Sequence, residues 1–134
     1  MPVTAGQAHR ALQRAIAVAA LLFGVATIVA GGAVLGGRDP GYLVYKPLLL
    51  FNTGMGAVYV AAGALAWRRL TPARHASAAI LVLNIVALGG VIWLYRTDGA
   101  VAMDSVRAMI FRTGVWLVLW LGLAWLNRAP RGPA

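Results

Sequence analysis

Four long apolar segments, separated by short polar stretches, run along the chain at about residues 15–37, 44–67, 73–95 and 105–127. A helix needs about 20 apolar residues to cross roughly 30 Å of bilayer hydrocarbon, and each segment reaches that length. The pattern predicts an all-α fold: a polytopic membrane protein with one domain over residues 1–134 and four transmembrane helices in an up-down antiparallel bundle.

The first segment has a competing interpretation, because Arg10 and Arg14 precede a charge-free run as they would in a secretory signal peptide. The apolar part of a signal peptide is about 7–15 residues long. Residues 15–37 form a longer run of 23. We therefore expect a helix that is retained in the protein.

The links between the segments are short. Residues 36–41 (GGRDPG) and 68–72 (RRLTP) are typical of turns between helices. In the second link, Thr71 is placed to cap a helix and Pro72 to be its first residue. Links of this length make successive helices antiparallel neighbours.

The fourth segment must carry charge into the membrane. Its charge-free part, residues 113–127, gives only roughly 22 Å of helix at about 1.5 Å per residue. A helix that crosses the bilayer must therefore start near Ala108, which places Arg112 inside it. Buried charge in a membrane is a default candidate for a functional site. We expect Arg112 to form the floor of a basic pocket with Lys46 and Arg107, and the alternative is that it snorkels to the headgroups.

The spacing on this helix adds two expected contacts. Asp104 and Arg107 are three residues apart and can pair on one helix face. Arg112 and Trp116 are four apart, so the guanidinium can lie against the indole.

On the second segment, Asn52, Gly56 and Tyr59 share one helical stripe, which we expect to face inward. One interpretation is a packing face in which Asn52 hydrogen-bonds to another helix. The other is that Asn52 and Tyr59 line a ligand cavity. The face expected to meet lipid carries Leu48, Val58 and Leu65.

Basic residues collect at the ends of the segments, where their distribution sets orientation. The side of both termini carries seven: Arg10, Arg14, Arg68, Arg69, Arg74, Arg128 and Arg131. The other side carries five, together with all three aspartates: Arg38, Lys46, Arg96, Arg107 and Arg112. The excess predicts a multi-pass protein of the bacterial cytoplasmic (inner) membrane with both termini in the cytoplasm.

Composition excludes several classes of function. The chain has no cysteine and no glutamate, so it lacks thiolate chemistry and the embedded glutamate that small four-helix multidrug transporters use for proton coupling. The net charge of +9 does not indicate nucleic-acid binding, because the basic residues follow the segment ends. His9 and His75 lie on the side opposite the aspartates, which argues against a serine–histidine–aspartate site and leaves a metal without acidic support. We expect neither catalytic residues nor a metal.

Two stretches resemble a known group of proteins: YKPLLLFNTGMGAVYVAAGALAWRR (residues 45–69) and SVRAMIFRTGVWLVLW (residues 105–120). They resemble small uncharacterised four-helix bacterial membrane proteins, some of them similar to DoxX-type proteins. DoxX-like proteins are associated with quinone-linked redox systems, so the resemblance implies quinone as a ligand. It implies no catalytic residues.

Three functions remain open. The first is a membrane accessory or binding protein whose outward-facing basic pocket holds an anionic group such as a lipid phosphate. Its expected ligand-binding residues are Lys46, Asn52, Tyr59, Asp104, Arg107, Arg112 and Trp116. The alternatives are a quinone-associated redox accessory subunit, with Asn52, Tyr59, Arg112 and Trp116 around the ring, and a small ion channel or transporter. The glycine-rich first and second segments would also suit a homo-oligomer or a larger membrane complex.

Overall fold

The computed structural model describes residues 4–97, 99 and 101–128. Within these ranges it contains four helices and no strand: α1 (Ala5–Leu35), α2 (Lys46–Arg68), α3 (Leu70–Thr97) and α4 (Met103–Arg128). All four are long and apolar enough to cross a membrane. The prediction of an all-α fold with four such helices is confirmed.

Helix α1 begins ten residues before the apolar segment that predicted it. A capping box sets this start: Gln7 N donates to Thr4 Oγ1 (3.2 Å), and Thr4 N donates to the Gln7 side chain (3.1 Å). These bonds satisfy N–H groups that a helix start leaves without partners. The apolar run therefore shows which part of the helix is hydrophobic enough for a membrane, whereas the cap determines the residue at which the helix begins.

The link between α2 and α3 is tighter than predicted, because Arg69 is its only residue outside a helix. Thr71 was expected to cap α3, and this prediction is wrong. Thr71 lies inside α3, and its hydroxyl donates to Asn127 Oδ1 of α4 (3.2 Å). Pro72 is the third residue of α3, where its missing N–H would have had no acceptor within the helix.

Helices α1 and α2 approach so closely that glycine is required at their contact. A Cβ added to Gly24 would lie 2.8 Å from the backbone oxygen of Gly56 and 2.8 Å from the backbone nitrogen of Val60. One added to Gly63 would lie 2.9 Å from the backbone nitrogen of Leu21. Small residues let helix backbones meet in this way, which is the usual basis of tight packing between membrane helices.

The inward stripe predicted on α2 is only part of its buried surface. Gly56 and Tyr59 are buried as predicted, and Val58 is exposed. Leu48 and Leu65 were expected to meet lipid but are half-buried against the core. The prediction is wrong for these two because α2 contacts both α1 and α3, so the buried arc is wider than one stripe.

The core holds a hydrogen bond between two buried side chains, in which the Tyr59 hydroxyl donates to Asn84 Oδ1 (3.1 Å). Both residues are completely buried. The Tyr59 ring also packs on the Trp116 indole, with centroids 4.9 Å apart. A buried hydrogen bond therefore joins α2 to α3, and α4 packs the Trp116 indole on the same tyrosine.

Tyr59→Phe is expected to destabilise the protein by about 1–2 kcal/mol, because it leaves the buried Asn84 carbonyl without a donor. Tyr95→Phe is the matched control: it removes the same hydroxyl from an exposed position, and we expect little change. Unfolding of the purified protein in mixed micelles measures both free energies. Equal stability of the two variants would show that the Tyr59–Asn84 bond contributes nothing.

Candidate functional site

One end of the helix assembly has a partly open cavity of about 280 Å³. It lies between α1, the link from α1 to α2, the first turns of α2 and the first half of α4. Its polar lining consists of Thr27, Arg38, Tyr42, Tyr45, Asn52, Thr53, Ser105 and Arg112. We refer to it as the Arg112 cavity.

Arg112 reaches the cavity from α4 and is held there by α1. Its Nη1 donates to Thr27 Oγ1 at 3.1 Å. The Thr27 hydroxyl in turn donates to the backbone oxygen of Phe23 (2.7 Å), so its lone pairs are left to accept from the guanidinium. The guanidinium carbon lies 5.8 Å from the centre of the Phe23 ring. Arg112 is half-buried, and the aromatic ring that it faces belongs to Phe23 rather than to Trp116.

The electrostatics of the cavity are one-sided. Arg38 and Arg112 both line it, and in the part of the chain that the structure describes no carboxylate does. Asp104, considered from the sequence as part of this site, is exposed in the first turn of α4 and does not line the cavity. A guanidinium has five N–H donors, and the side-chain partner of Arg112 among the described residues is one neutral hydroxyl. The cavity therefore favours an anion.

Asn52 lines the same cavity from α2. Its Oδ1 is buried and has no hydrogen-bond partner among the described residues. An unpaired buried amide oxygen costs about 1–3 kcal/mol, which is tolerated where a site binds something. The Arg112 cavity is therefore lined by both the Asn52 amide and the Arg112 guanidinium.

The seven residues predicted from the sequence fall into three places. Asn52 and Arg112 line the Arg112 cavity. Tyr59 and Trp116 are packed against each other in the core and do not line it. The remaining three are exposed on helices outside its lining: Lys46, Asp104 and Arg107. The second arginine of the cavity is thus Arg38, where the sequence suggested Lys46 and Arg107.

Sequence reasoning missed three polar residues that matter here. Arg38 lies in the link after α1, and only the folded link brings it to α4. Thr27 is the only hydroxyl residue in the charge-free segment 15–37 and has no sequence signal of its own. Asn84 does have one, because it is the only amide in α3 and such residues usually find a partner in another helix.

The residues proposed to surround a quinone ring do not share one space. Asn52 and Arg112 are at the cavity, whereas Tyr59 and Trp116 have almost no exposed surface. Trp116 Nε1 and Asn84 Nδ2 are buried without partners among the described residues, so the core does contain free donors. The Phe23 ring stacks on the Tyr59 ring with centroids 5.5 Å apart. Phe23 and Trp116 therefore both pack on Tyr59.

Histidines do not assemble a metal centre in the part of the chain that the structure describes. No group of three or more histidine, cysteine, aspartate or glutamate side chains comes together there. His9 packs edge-on against Trp125, with ring centroids 5.2 Å apart. His75 Nε2 lies 3.3 Å from Nη2 of the adjacent Arg74.

Comparison with protein-family models, with curated proteins and with solved structures finds no match. The resemblance to DoxX-type proteins therefore stays a prediction, and function has to be inferred from the cavity and its residues.

Proposed function

We propose that this protein is a multi-pass membrane protein that binds an anionic group, such as a lipid phosphate, in the Arg112 cavity. The helices would cross the bilayer in an up-down antiparallel bundle. Contacts between opposite ends of successive helices support this arrangement. Gln13 near the start of α1 donates to the backbone oxygen of Ala66 near the end of α2 (2.7 Å), while Gly31 at the other end of α1 meets Thr53.

The outward surfaces of the helices support insertion in a membrane. Large apolar side chains are left mostly exposed along the helices, among them Val29 (65%), Val86 (67%) and Val118 (66%). Water would make such surface a site of aggregation, whereas lipid makes it the favourable state. Within the four helices the described buried residues are also mostly apolar, so each helix is apolar on both its inner and its outer face.

Orientation is proposed with both termini in the cytoplasm of a bacterial inner membrane, because more basic residues lie on that side. Asp98 and Arg131, which entered the comparison of the two sides, lie outside the described residues. The Arg112 cavity would then open toward the outer leaflet, at the level of the lipid phosphates.

A cysteine introduced at Thr97 is expected to react with a membrane-impermeant maleimide in intact cells, and one at Thr4 is expected to react only after the cells are broken. The natural chain has no cysteine, so each variant carries a single reactive group. Both threonines are exposed at helix ends. Labelling of Thr4→Cys in intact cells would contradict the orientation, and equal labelling of both would indicate dual topology.

The observation that carries the proposed binding function is the position of Arg112. Insertion scales place an arginine at the centre of a membrane helix at roughly +2.5 to +3.5 kcal/mol, and less near an interface. Arg112 does not avoid this cost by reaching outward, because it hydrogen-bonds to Thr27 on another helix. A carboxylate would neutralise it, but no carboxylate of the described residues lines the cavity. A bound anion would supply the missing charge, and the planar donors of arginine suit a phosphate or carboxylate.

Size favours a small group. Pockets for drug-sized ligands are typically about 300–1,000 Å³, and the cavity of about 280 Å³ lies just below that range. It would admit a phosphate with a small headgroup and leave the acyl chains outside, along the apolar faces of the helices.

Native mass spectrometry of the protein purified in mild detergent tests the binding function. We expect a copurified phospholipid, displaced on adding excess phosphatidylglycerol but not on adding phosphatidylcholine. Bound quinone, recognised by its ultraviolet absorption and mass, would favour the redox accessory instead. Protein that retains neither and binds no added phosphatidylglycerol would contradict the proposal.

A further inference from the structure

The opposite end of the helix assembly has a second and larger cavity, of about 890 Å³. It is formed by the first turns of α1, by residues 68–72 at and around the link between α2 and α3, and by Leu126 of α4. Its polar lining consists of Thr4, His9, Gln13, Arg68, Arg69 and Thr71. We refer to it as the Arg69 cavity. It shares no residue with the Arg112 cavity.

We propose that the Arg69 cavity is a second anion site, which takes a phosphate group. Among the residues that the structure describes, two arginines and no carboxylate line it, so its positive charge has no partner within the described lining. Arginine binds phosphate through two parallel hydrogen bonds, which makes it the usual residue for this group. The proposal does not depend on the Arg112 cavity, because the two sites use different residues.

Arg68 and Arg69 are positioned by the link between α2 and α3, which is a single residue long. Arg68 ends α2, and Arg69 is extended, with φ of −144° and ψ of 120°, before α3 starts at Leu70. The pair is therefore held at the amino end of α3, where unpaired N–H groups and the helix dipole add to the positive potential. The Thr71 hydroxyl donates to Asn127 Oδ1, which ties the first turn of α3 to α4 (3.2 Å).

Other contacts hold the walls of the cavity in place. Gln13 Nε2 donates to the backbone oxygen of Ala66, which fixes α1 against the end of α2 (2.7 Å). His9 is half-buried and packs on Trp125 of α4. The cavity is thus bounded by residues of all four helices, and the exposed side chains of Arg68 and Arg69 line it.

Its level along the helices suits a phosphate at a membrane surface. Trp67 and Trp125 lie at the same end and are about half exposed (48% and 55%). The Arg14 guanidinium lies 5.3 Å from the centre of the Trp67 ring. Tryptophan and arginine collect in this way at the headgroup level of a bilayer. The phosphate can come from a lipid headgroup at that level or from solution.

The test measures binding of phosphatidylglycerol to the full chain in detergent by native mass spectrometry. The double variant Arg68→Gln/Arg69→Gln is expected to lose one bound lipid, with at least about tenfold weaker binding at that site, because two charge-assisted contacts disappear. Arg10→Gln is the matched control, since it removes an exposed arginine from the same end of α1 but outside the cavity. Arg112→Gln is expected to leave this second binding event intact, which separates failure here from failure of the first site.

Unchanged binding by the double variant would overturn the proposal, and so would an equal loss in Arg10→Gln, since that would mean diffuse attraction to a basic surface. Arg68→Lys/Arg69→Lys keeps the charge without the planar donors, and we expect it to bind with intermediate affinity. If it binds as the natural chain does, recognition of the phosphate through the planar donors of Arg68 and Arg69 is ruled out. Competition by millimolar inorganic phosphate assigns the site to free phosphate. Retention of the lipid in its presence assigns the site to a headgroup.

Discussion

Arg112→Gln is expected to weaken binding of phosphatidylglycerol at the Arg112 cavity by about tenfold to a hundredfold. A hydrogen bond to a charged group contributes about 1.5–3 kcal/mol, and each 1.4 kcal/mol is a factor of ten in affinity. Glutamine keeps polarity and much of the length of the side chain but removes the charge. Titration of lipid into the purified variant, followed by native mass spectrometry, gives the dissociation constant.

Arg107→Gln is the matched control for this variant. It lies five residues earlier on the same helix, is exposed, and does not line the cavity. We expect it to bind as the natural chain does. If both variants lose affinity equally, the effect is one of net charge, and the cavity has no special role.

The free energy of unfolding of an Arg112 variant distinguishes between two roles for this residue. If it binds an anion, Arg112→Leu releases the anion and also removes the contact with Thr27, so the lipid-loaded protein unfolds more easily. If the charge serves no ligand, Arg112→Leu relieves the cost of a charge in the membrane and is neutral or stabilising. Unfolding with and without added phosphatidylglycerol distinguishes these outcomes, because only the first predicts a difference that depends on lipid.

Gly24→Ala is expected to destabilise the helix assembly by about 2 kcal/mol, in spite of the better helix propensity of alanine. The new Cβ would lie 2.8 Å from backbone atoms of both Gly56 and Val60 on α2. Backbone atoms inside a helix cannot move away by a rotamer change as a side chain can, so α1 and α2 must separate along this contact. Unfolding in mixed micelles measures the change.

Gly32→Ala gives the contrast on the same helix. Nothing lies within 4 Å of a Cβ at Gly32, so its replacement should be neutral or stabilise by up to about 1 kcal/mol. Opposite signs for the two variants would show that the close contact of α1 and α2 carries the difference. Equal effects would indicate that the helices do not meet at Gly24.

Much of the architecture could be predicted because it follows from local properties of the sequence. The four apolar segments are each long enough to span a bilayer, and each one overlaps the helix found there or lies within it. Arg112 could be singled out for a similar reason, since the charge-free part of α4 is too short to span alone. The burial of Gly56 and Tyr59 followed from helical periodicity.

The surroundings of Arg112 were decided only by the tertiary structure. Its partner Thr27 is 85 residues away, and the neighbouring cation Arg38 lies in a link whose path has no periodicity. Helical spacing on α4 suggested Trp116 as its neighbour instead, because spacing reports only which residues of one helix share a face. Which residues of other helices meet that face depends on how the helices pack against one another. In this protein Gly24, Gly56 and Gly63 allow α1 and α2 to pack at close range.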